Sequence, residues 1–203
     1  MRTEAAMGAD IPRLDHRIIC DIVEPGSHVL DLGCGDGSLM LLLEEMKGAK
    51  TQGIEVSDDK IYECVARGGS VFHGNIDTGL AEYPDKSFDY IILNQSLQEV
   101  VKIDFVLDEA LRVGRNVIVG FSNFAHYKAR MDIFFRGRVP VTKSLPNQWH
   151  QTPNLHFLSI KDFERYCSSK NINVLRKIHL GVSGPVRLLP NLFALNAIFV
   201  ISR

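Results

Sequence analysis

Apolar positions along this chain change their period several times, and the changes mark its elements. The run from His28 to Leu32, HVLDL, is mostly aliphatic and stops at glycine, which predicts a buried strand. Leucines and methionines then recur at helical spacing over residues 38–47, and Gly48 closes that helix. The alternation continues with a strand over 52–56, a helix over 60–67 opened by the capping side chains of Ser57, Asp58 and Asp59, and a brief strand over 71–73. A strand over 87–93, a helix over 105–113 and a strand over 116–121 come after these, and an amphipathic helix over 14–23 precedes the series. Strands alternating with helices of about ten residues require right-handed crossovers and a mainly parallel sheet.

The pattern breaks after Phe121. Met131, Phe134 and Phe135 stand at i, i+3 and i+4, predicting one short amphipathic helix, and Pro140, Pro146 and Pro153 punctuate the residues beyond it. Structureless stretches of that length are usually functional or disordered. A helix over 159–169 and a strand over 172–180 come next. A loop with Gly181, Gly184, Pro185 and Pro190 then leads to a last strand over 193–201. That loop leaves no room for a helix, so the two closing strands must pair antiparallel. The expected fold class is α/β, a doubly wound and mainly parallel sheet with a C-terminal antiparallel strand. One domain is expected over residues 1–203, with a partly helical segment inserted at about 122–158.

Composition changes this picture little. A chain of 203 residues, 45% apolar and 23% charged, suits one well-buried core. With 23 basic and 24 acidic residues, global charge points to neither nucleic acid nor an anionic membrane. No apolar run approaches the roughly 20 residues of a membrane span, and no basic start leads into a short apolar segment, so a cytoplasmic protein is expected. Cys20, Cys34, Cys64 and Cys167 show no C-x-x-C pairing, which predicts reduced thiols without a disulfide or metal framework.

The candidate chemistry lies in Gly33-Cys34-Gly35-Asp36-Gly37, between the first strand and its helix. Glycine lets the backbone turn sharply and approach a ligand with no Cβ in the way. Asp36 stands where the helix begins and can cap its free amides. Asp31, at the strand's end, is placed to face a ligand's ammonium group. Dinucleotide sites favour G-x-G-x-x-G, whereas here position 38 is Ser and the third glycine comes one residue earlier, at Gly37. Glu55 ends the second strand about 20 residues on, where an acid accepts hydrogen bonds from ribose hydroxyls. Both cofactor types want that acid. The glycine spacing and the closing antiparallel pair favour S-adenosylmethionine or its demethylated product, S-adenosylhomocysteine, over NAD.

VLDLGCGDG at residues 29–37 resembles the first motif of class I methyltransferases, and Glu55 falls at that family's ribose acid. The resemblance implies a seven-stranded sheet with one antiparallel strand. Many members carry an acid near the adenine amino group after the third strand. Asn75 stands there in HGNID, where its amide oxygen can accept a hydrogen bond or simply shape a turn. Val56 and Ile76 are counted with these residues on the nucleoside side, and Asn94 and Gln95, after the fourth strand, on the methyl side.

The match narrows downstream. SFDYIILNQSLQEV at 87–100, LRVGR at 111–115, GRVPVTKSL at 137–145, WHQTPNLHF at 149–157 and LLPNLF at 188–193 together resemble the MetW proteins of methionine biosynthesis. That resemblance implies association with homoserine O-acyltransferase, whose activity or stability such proteins support. A working small-molecule methyltransferase, with the long segment as a substrate lid, is the alternative. No catalytic residue stands out. His126, His150 and His156 are possible bases, but loop histidines are more often structural. Trp149 is expected either to wall the pocket or to pack beneath its loop, with packing favoured. Lys128, Arg130, Arg136, Arg138 and Lys143 form a solvated face, a partner-docking surface or, least expected of the three, an RNA contact.

Overall fold

The structure, a computed structural model, describes residues 13–182 and 184–203. Its first elements are α1 (Leu14–Ile22), β1 (His28–Leu32), α2 (Ser38–Lys47), β2 (Lys50–Glu55), α3 (Asp58–Ala66) and β3 (Val71–His73). A 3₁₀ turn at Ile76–Thr78 leads to β4 (Phe88–Asn94), α4 (Ile103–Val113) and β5 (Gly114–Ser122). After α5 (Tyr127–Met131) and a π turn at Asp132–Arg136 come α6 (Ile160–Ser169), β6 (Asn173–Leu180), α7 (Pro190–Phe193) and β7 (Asn196–Ser202).

The seven strands form one sheet in the order β3-β2-β1-β4-β5-β7-β6. All pairings are parallel except those of β7, which runs antiparallel to both β5 and β6. The expected α/β class and the antiparallel C-terminal strand are therefore present. Because side chains alternate across a strand, each central strand serves two cores. Val29, Tyr90, Ile92, Ile118 and Val200 pack with Ile19, Leu39 and Leu43 of α1 and α2. Leu30, Ile91, Leu93, Val119, Phe121 and Phe199 pack with Leu107, Leu111 and Phe163 of α4 and α6. Strand order reverses between β1 and β4, and the crevice at such a reversal is where open α/β sheets bind ligands.

Four local expectations need correction. The last strand begins at Asn196, not at residue 193. Pro190, whose ring presets a helical φ, opens the single turn α7 inside a loop that the sequence left no helix in. The second strand stops at Glu55, so Val56 stands outside it with 63% of its surface exposed. Met131, Phe134 and Phe135 do not form a buried stripe; they are 52%, 79% and 68% exposed. The helix carrying them passes into a π turn after Met131. A wider turn destroys the i, i+3, i+4 alignment on which that stripe depends.

The four cysteines are free and buried. Among the described residues, no helix is long and apolar enough to cross a membrane, and no cluster of side chains suits a metal ion.

Phe121 tests the larger core. It is fully buried, stacked on Phe199 at 5.7 Å and tilted against Phe163 at 5.2 Å between ring centroids. Phe121→Ala removes those contacts and leaves a cavity, so it should cost about 3–5 kcal/mol of stability. Urea denaturation monitored by circular dichroism measures the loss.

Candidate functional site

The glycine loop owes its spacing to the backbone. Gly33, Gly35 and Gly37 have φ of 80°, 57° and 75°, a left-handed region that side chains disfavour. Two of them are also crowded. A Cβ on Gly33 would stand 2.7 Å from Ser96 Cβ, and one on Gly37 would collide with Cys64. Gly37 itself is the N-cap residue of α2, and Asp36 supplies the capping oxygen. Asp36 Oδ1 accepts from Ser38 N at 3.1 Å and from Ser38 Oγ at 2.6 Å, while Oδ2 pairs with Arg67 at 2.7 Å. Cys34 turns inward onto Met40 and Cys64, and burial followed by the nearby Asp31 carboxylate pushes its thiol pKa well up.

Glu55 spans the gap between two crossover loops. Its Oε2 accepts the amide of Gly35 at 2.9 Å, and Oε1 accepts those of Val56 at 2.8 Å and Ser57 at 2.9 Å. Ser57 sits at the N-cap of α3, yet its side chain makes no capping bond. The order of that helix start comes from the glutamate instead.

Two clefts meet at this loop and share Gly33, Gly35 and Asn94 in their walls. The larger, about 570 Å³, is lined by Glu55, Val56, Asn75, Ile76, Gln95, Ser96 and Glu99 among others. The smaller, about 130 Å³, lies between α1 and the loop and is walled by Arg13, His16, Asp31, Cys34, Asp36 and Ser38. The predicted residues thus fall around one paired cleft. Gly37 is the exception, lining neither side and serving the turn alone.

Charge is distributed unevenly in that cleft. Asp31 is 3% exposed, and burial, then the negative charge of Glu55, raises its pKa from 3.8 to about 7. It lies at the centre of the sheet, opposite Gly53 on β2 and Ile92 on β4. His16 is held below the usual histidine range, chiefly by burial. Asp15 receives hydrogen bonds from Asn94 Nδ2 at 3.0 Å and from Arg13 at 2.7 Å. Burial alone would raise its pKa, but those partners bring it below the ordinary carboxyl value. Asn75 Oδ1 accepts from Asp77 N at 2.9 Å, so this side chain does shape the 3₁₀ turn, with one carbonyl lone pair left toward the cleft.

Reading the sequence missed the α1 wall, Arg13, Asp15 and His16. No sequence signal marked them, because Asp15 and His16 are polar and only the docking of α1 buries them. Ser96, which the sequence placed in the stretch after the fourth strand bordering a methyl donor, lines the larger cleft and crowds Gly33. The three histidines considered as bases line neither cleft. His126 is 3% exposed and caps α5, accepting from Lys128 N through Nδ1 at 3.3 Å. His150 packs edge-on against Trp149 at 5.4 Å. The His156 amide donates to Gln98 O at 3.1 Å, while its Nε2 is buried without a partner among the described residues. Trp149 does not pack beneath the loop; it is 72% exposed.

Solved structures share this architecture at low identity. A SAM-dependent methyltransferase from Archaeoglobus fulgidus superposes with a TM-score of 0.69 at 12% identity, covering 93% of this chain and 91% of that one. A possible histamine N-methyltransferase from Thermotoga maritima does so with a TM-score of 0.66 at 16% identity, over 93% and 87%. Such likeness concerns the fold alone. In sequence, the bifunctional methionine biosynthesis protein MetXA/MetW of Rhodopirellula baltica is 32% identical over 199 residues, 93% of this chain. The chain spans 32% of the length of that relative. A demethylmenaquinone methyltransferase of Listeria monocytogenes is 29% identical over 134 residues, 59% of this chain and 56% of that protein. The family described as methionine biosynthesis protein MetW matches residues 13–201, well past the shared glycine loop and through the long segment after β5, and the chain belongs to that family.

Proposed function

We propose that the chain binds S-adenosylmethionine or S-adenosylhomocysteine and supports homoserine O-acyltransferase in methionine biosynthesis. The observation that carries the ligand is the paired cleft, whose halves differ in chemistry as the halves of an adenosyl amino acid do. The larger half offers the Glu55 carboxylate to ribose hydroxyls and the Asn75 carbonyl to an adenine amino group, with Val56 and Ile76 as apolar neighbours. The smaller half sets the Asp31 carboxyl toward an ammonium group and Arg13 and His16 toward a carboxylate. Acyltransferase support rests on the family and on the bifunctional relative, in which MetXA and MetW are parts of one protein.

A role without methyl transfer is supported by how the ends of β4 and β5 are covered. Ser122 Oγ lies 2.7 Å from Ser144 O, 3.0 Å from Gln95 Oε1 and 3.2 Å from Asn196 Oδ1. A hydroxyl has one proton and a backbone carbonyl can only accept, so the proton goes to Ser144. The side-chain amides of Gln95 and Asn196 then turn their NH₂ groups toward Ser122, since amide oxygen and nitrogen are assigned from the network. Leu155 and His156 donate their amides to Gln98 O at 2.9 and 3.1 Å. The long segment is thus bonded to the ends of β4 and β5 beside Gln95, which would narrow the approach of a methyl acceptor. Incubation with methyl-labelled S-adenosylmethionine and a metabolite extract decides between the two readings, and label recovered in a metabolite would establish the methyltransferase.

Either adenosyl ligand should raise the melting temperature, because a ligand that binds only the native state stabilises it by mass action; NAD should leave it unchanged. Glu55→Gln should weaken adenosyl binding by about 1.5–3 kcal/mol, the scale for hydrogen bonds to a charged group. The amide keeps one acceptor for Gly35 N but turns a donor toward the amides of Val56 and Ser57, so the sheet should stay folded while the start of α3 loosens. Calorimetry that finds wild-type affinity in this variant would remove Glu55 from the ribose site.

Asp31 predicts a pH dependence with a definite sign. A carboxyl with a pKa of about 7 must lose its proton before it pairs with an ammonium ion. Affinity should therefore fall as pH is lowered from 8 to 6, and Asp31→Asn should flatten that profile. In the free protein, between 3.8 and about 7 the native state keeps a proton that the unfolded state has released. This group therefore lowers stability as pH rises through that window. Thermal melts of the two proteins across the window measure the difference.

A further inference from the structure

The segment after β5 is firmly held at its base and apolar at its tip. Asn123 is fully buried and donates to Ala194 O at 2.8 Å, the Phe124 amide donates to Leu158 O at 3.1 Å, and Phe124 packs on Phe157 at 4.9 Å. Leu145 is 6% exposed. A disordered lid would lack such anchors. Beyond them the chemistry inverts. Phe134 and Phe135 lie edge to face at 4.9 Å with most of their surface in water, put there by the π turn. Single-turn π segments of this kind occur frequently at functional sites. Next to them Val139, Val141 and Trp149 line an open groove of about 600 Å³ with Arg138 and Gln148. Exposed aromatic side chains gathered beside such a groove and bordered by polar residues are a feature of interaction sites.

Charge narrows the occupant. Arg136 is paired with Asp132 at 2.8 Å, but Arg138 and Lys143 form no ion pair among the described residues. In a symmetric dimer the same patch faces itself, which would set these free cations against their own copies and repel. A protein partner with an acidic rim satisfies both the aromatic centre and the cationic edge, since aromatic residues and Arg concentrate binding energy at interfaces. The bifunctional relative supplies its identity, because there this kind of unit shares one chain with a second biosynthetic unit.

Resting on the acyltransferase reading above, we propose that the face formed by Phe134, Phe135, Val139 and Trp149, with Arg138 in the groove wall and Lys143 in the same segment, is the docking surface for the acyltransferase subunit. The occupant presents acidic side chains around an apolar socket.

The test uses the full chain and the homoserine O-acyltransferase of the same cell, nuclease-treated, in sedimentation velocity, with S-adenosylhomocysteine calorimetry on every variant. Arg138→Glu combined with Lys143→Glu, and separately Trp149→Ala, should each weaken association by about tenfold or more, a 1.4 kcal/mol effect at tenfold. Affinity for the adenosyl ligand should stay within about twofold, which also shows that each variant is folded. Arg136 is left intact because reversing it would set two acids against each other in the π turn. Wild-type association in both variants places the interface elsewhere and overturns the proposal. Loss of self-association rather than of acyltransferase binding assigns the face to a second copy, and nuclease-sensitive binding assigns it to RNA; both overturn it. Absence of any complex with the unmutated chain overturns the acyltransferase reading itself, which is a different failure.

Discussion

One carboxylate holds the two halves of the binding architecture together. Glu55 takes an amide from the β1–α2 loop and two from the start of α3, so two crossovers that meet at the crevice share a single buried-side anchor. Backbone amides at helix starts lack partners within the helix, and an acceptor with several lone pairs can satisfy them at one point. The left-handed glycines keep their shape against this anchor. The ribose contact proposed for the same group would carry a second consequence, because any change that weakens the carboxylate also loosens the loop.

The sheet explains why so few residues suffice. Strand order reverses beside β1, and that reversal opens the crevice at the ends of β1, β2 and β4. Asp31, Glu55 and Asn94 reach it simply by being at or near the ends of those strands. Antiparallel β7 then closes the far side and delivers Asn196 to Ser122, which places the end of β5 under the long segment. Helix α1 contributes what no strand could, a set of polar groups beneath the loop, with Asp15 bonded to Asn94.

Much of this was legible in the chain. Strands with an aliphatic run and a glycine stop gave their positions to within about two residues, because burial on both faces of a central strand leaves little freedom in composition. The glycine loop, Asp31 and Glu55 were legible for the same reason, since backbone conformation admits only glycine and the crevice needs an acid. What escaped the sequence depended on packing between distant parts. The π turn at 132–136 has no periodicity of its own and reads as a helix until its neighbours are known. Trp149 reads as core on size alone, yet 72% of it meets solvent. Arg13 and His16 entered the site only through the way α1 docks on the loop.

The connector between β4 and α4 is where ligand cleft and outer face come closest. Asn94, Gln95, Ser96 and Glu99 wall the cleft, while Gln98, 1% exposed, receives Leu155 and His156 on its carbonyl and the amide of Ser122 on its side chain at 3.0 Å. Gln95 sits at a φ of 67°, a left-handed conformation that costs a residue with a side chain. Among the described residues, Asn94 Oδ1, Ser96 Oγ, Gln98 Nε2 and His156 Nε2 are all buried without a partner, and they lie on or against this one stretch. A network satisfied only in part is destabilised by its own low dielectric, so the connector is the part of the crevice that gains most from rearranging. A ligand alters partner binding only through unequal affinity for two arrangements, and typical couplings are about 1–3 kcal/mol. Re-pairing one or two buried polar atoms supplies energy on that scale.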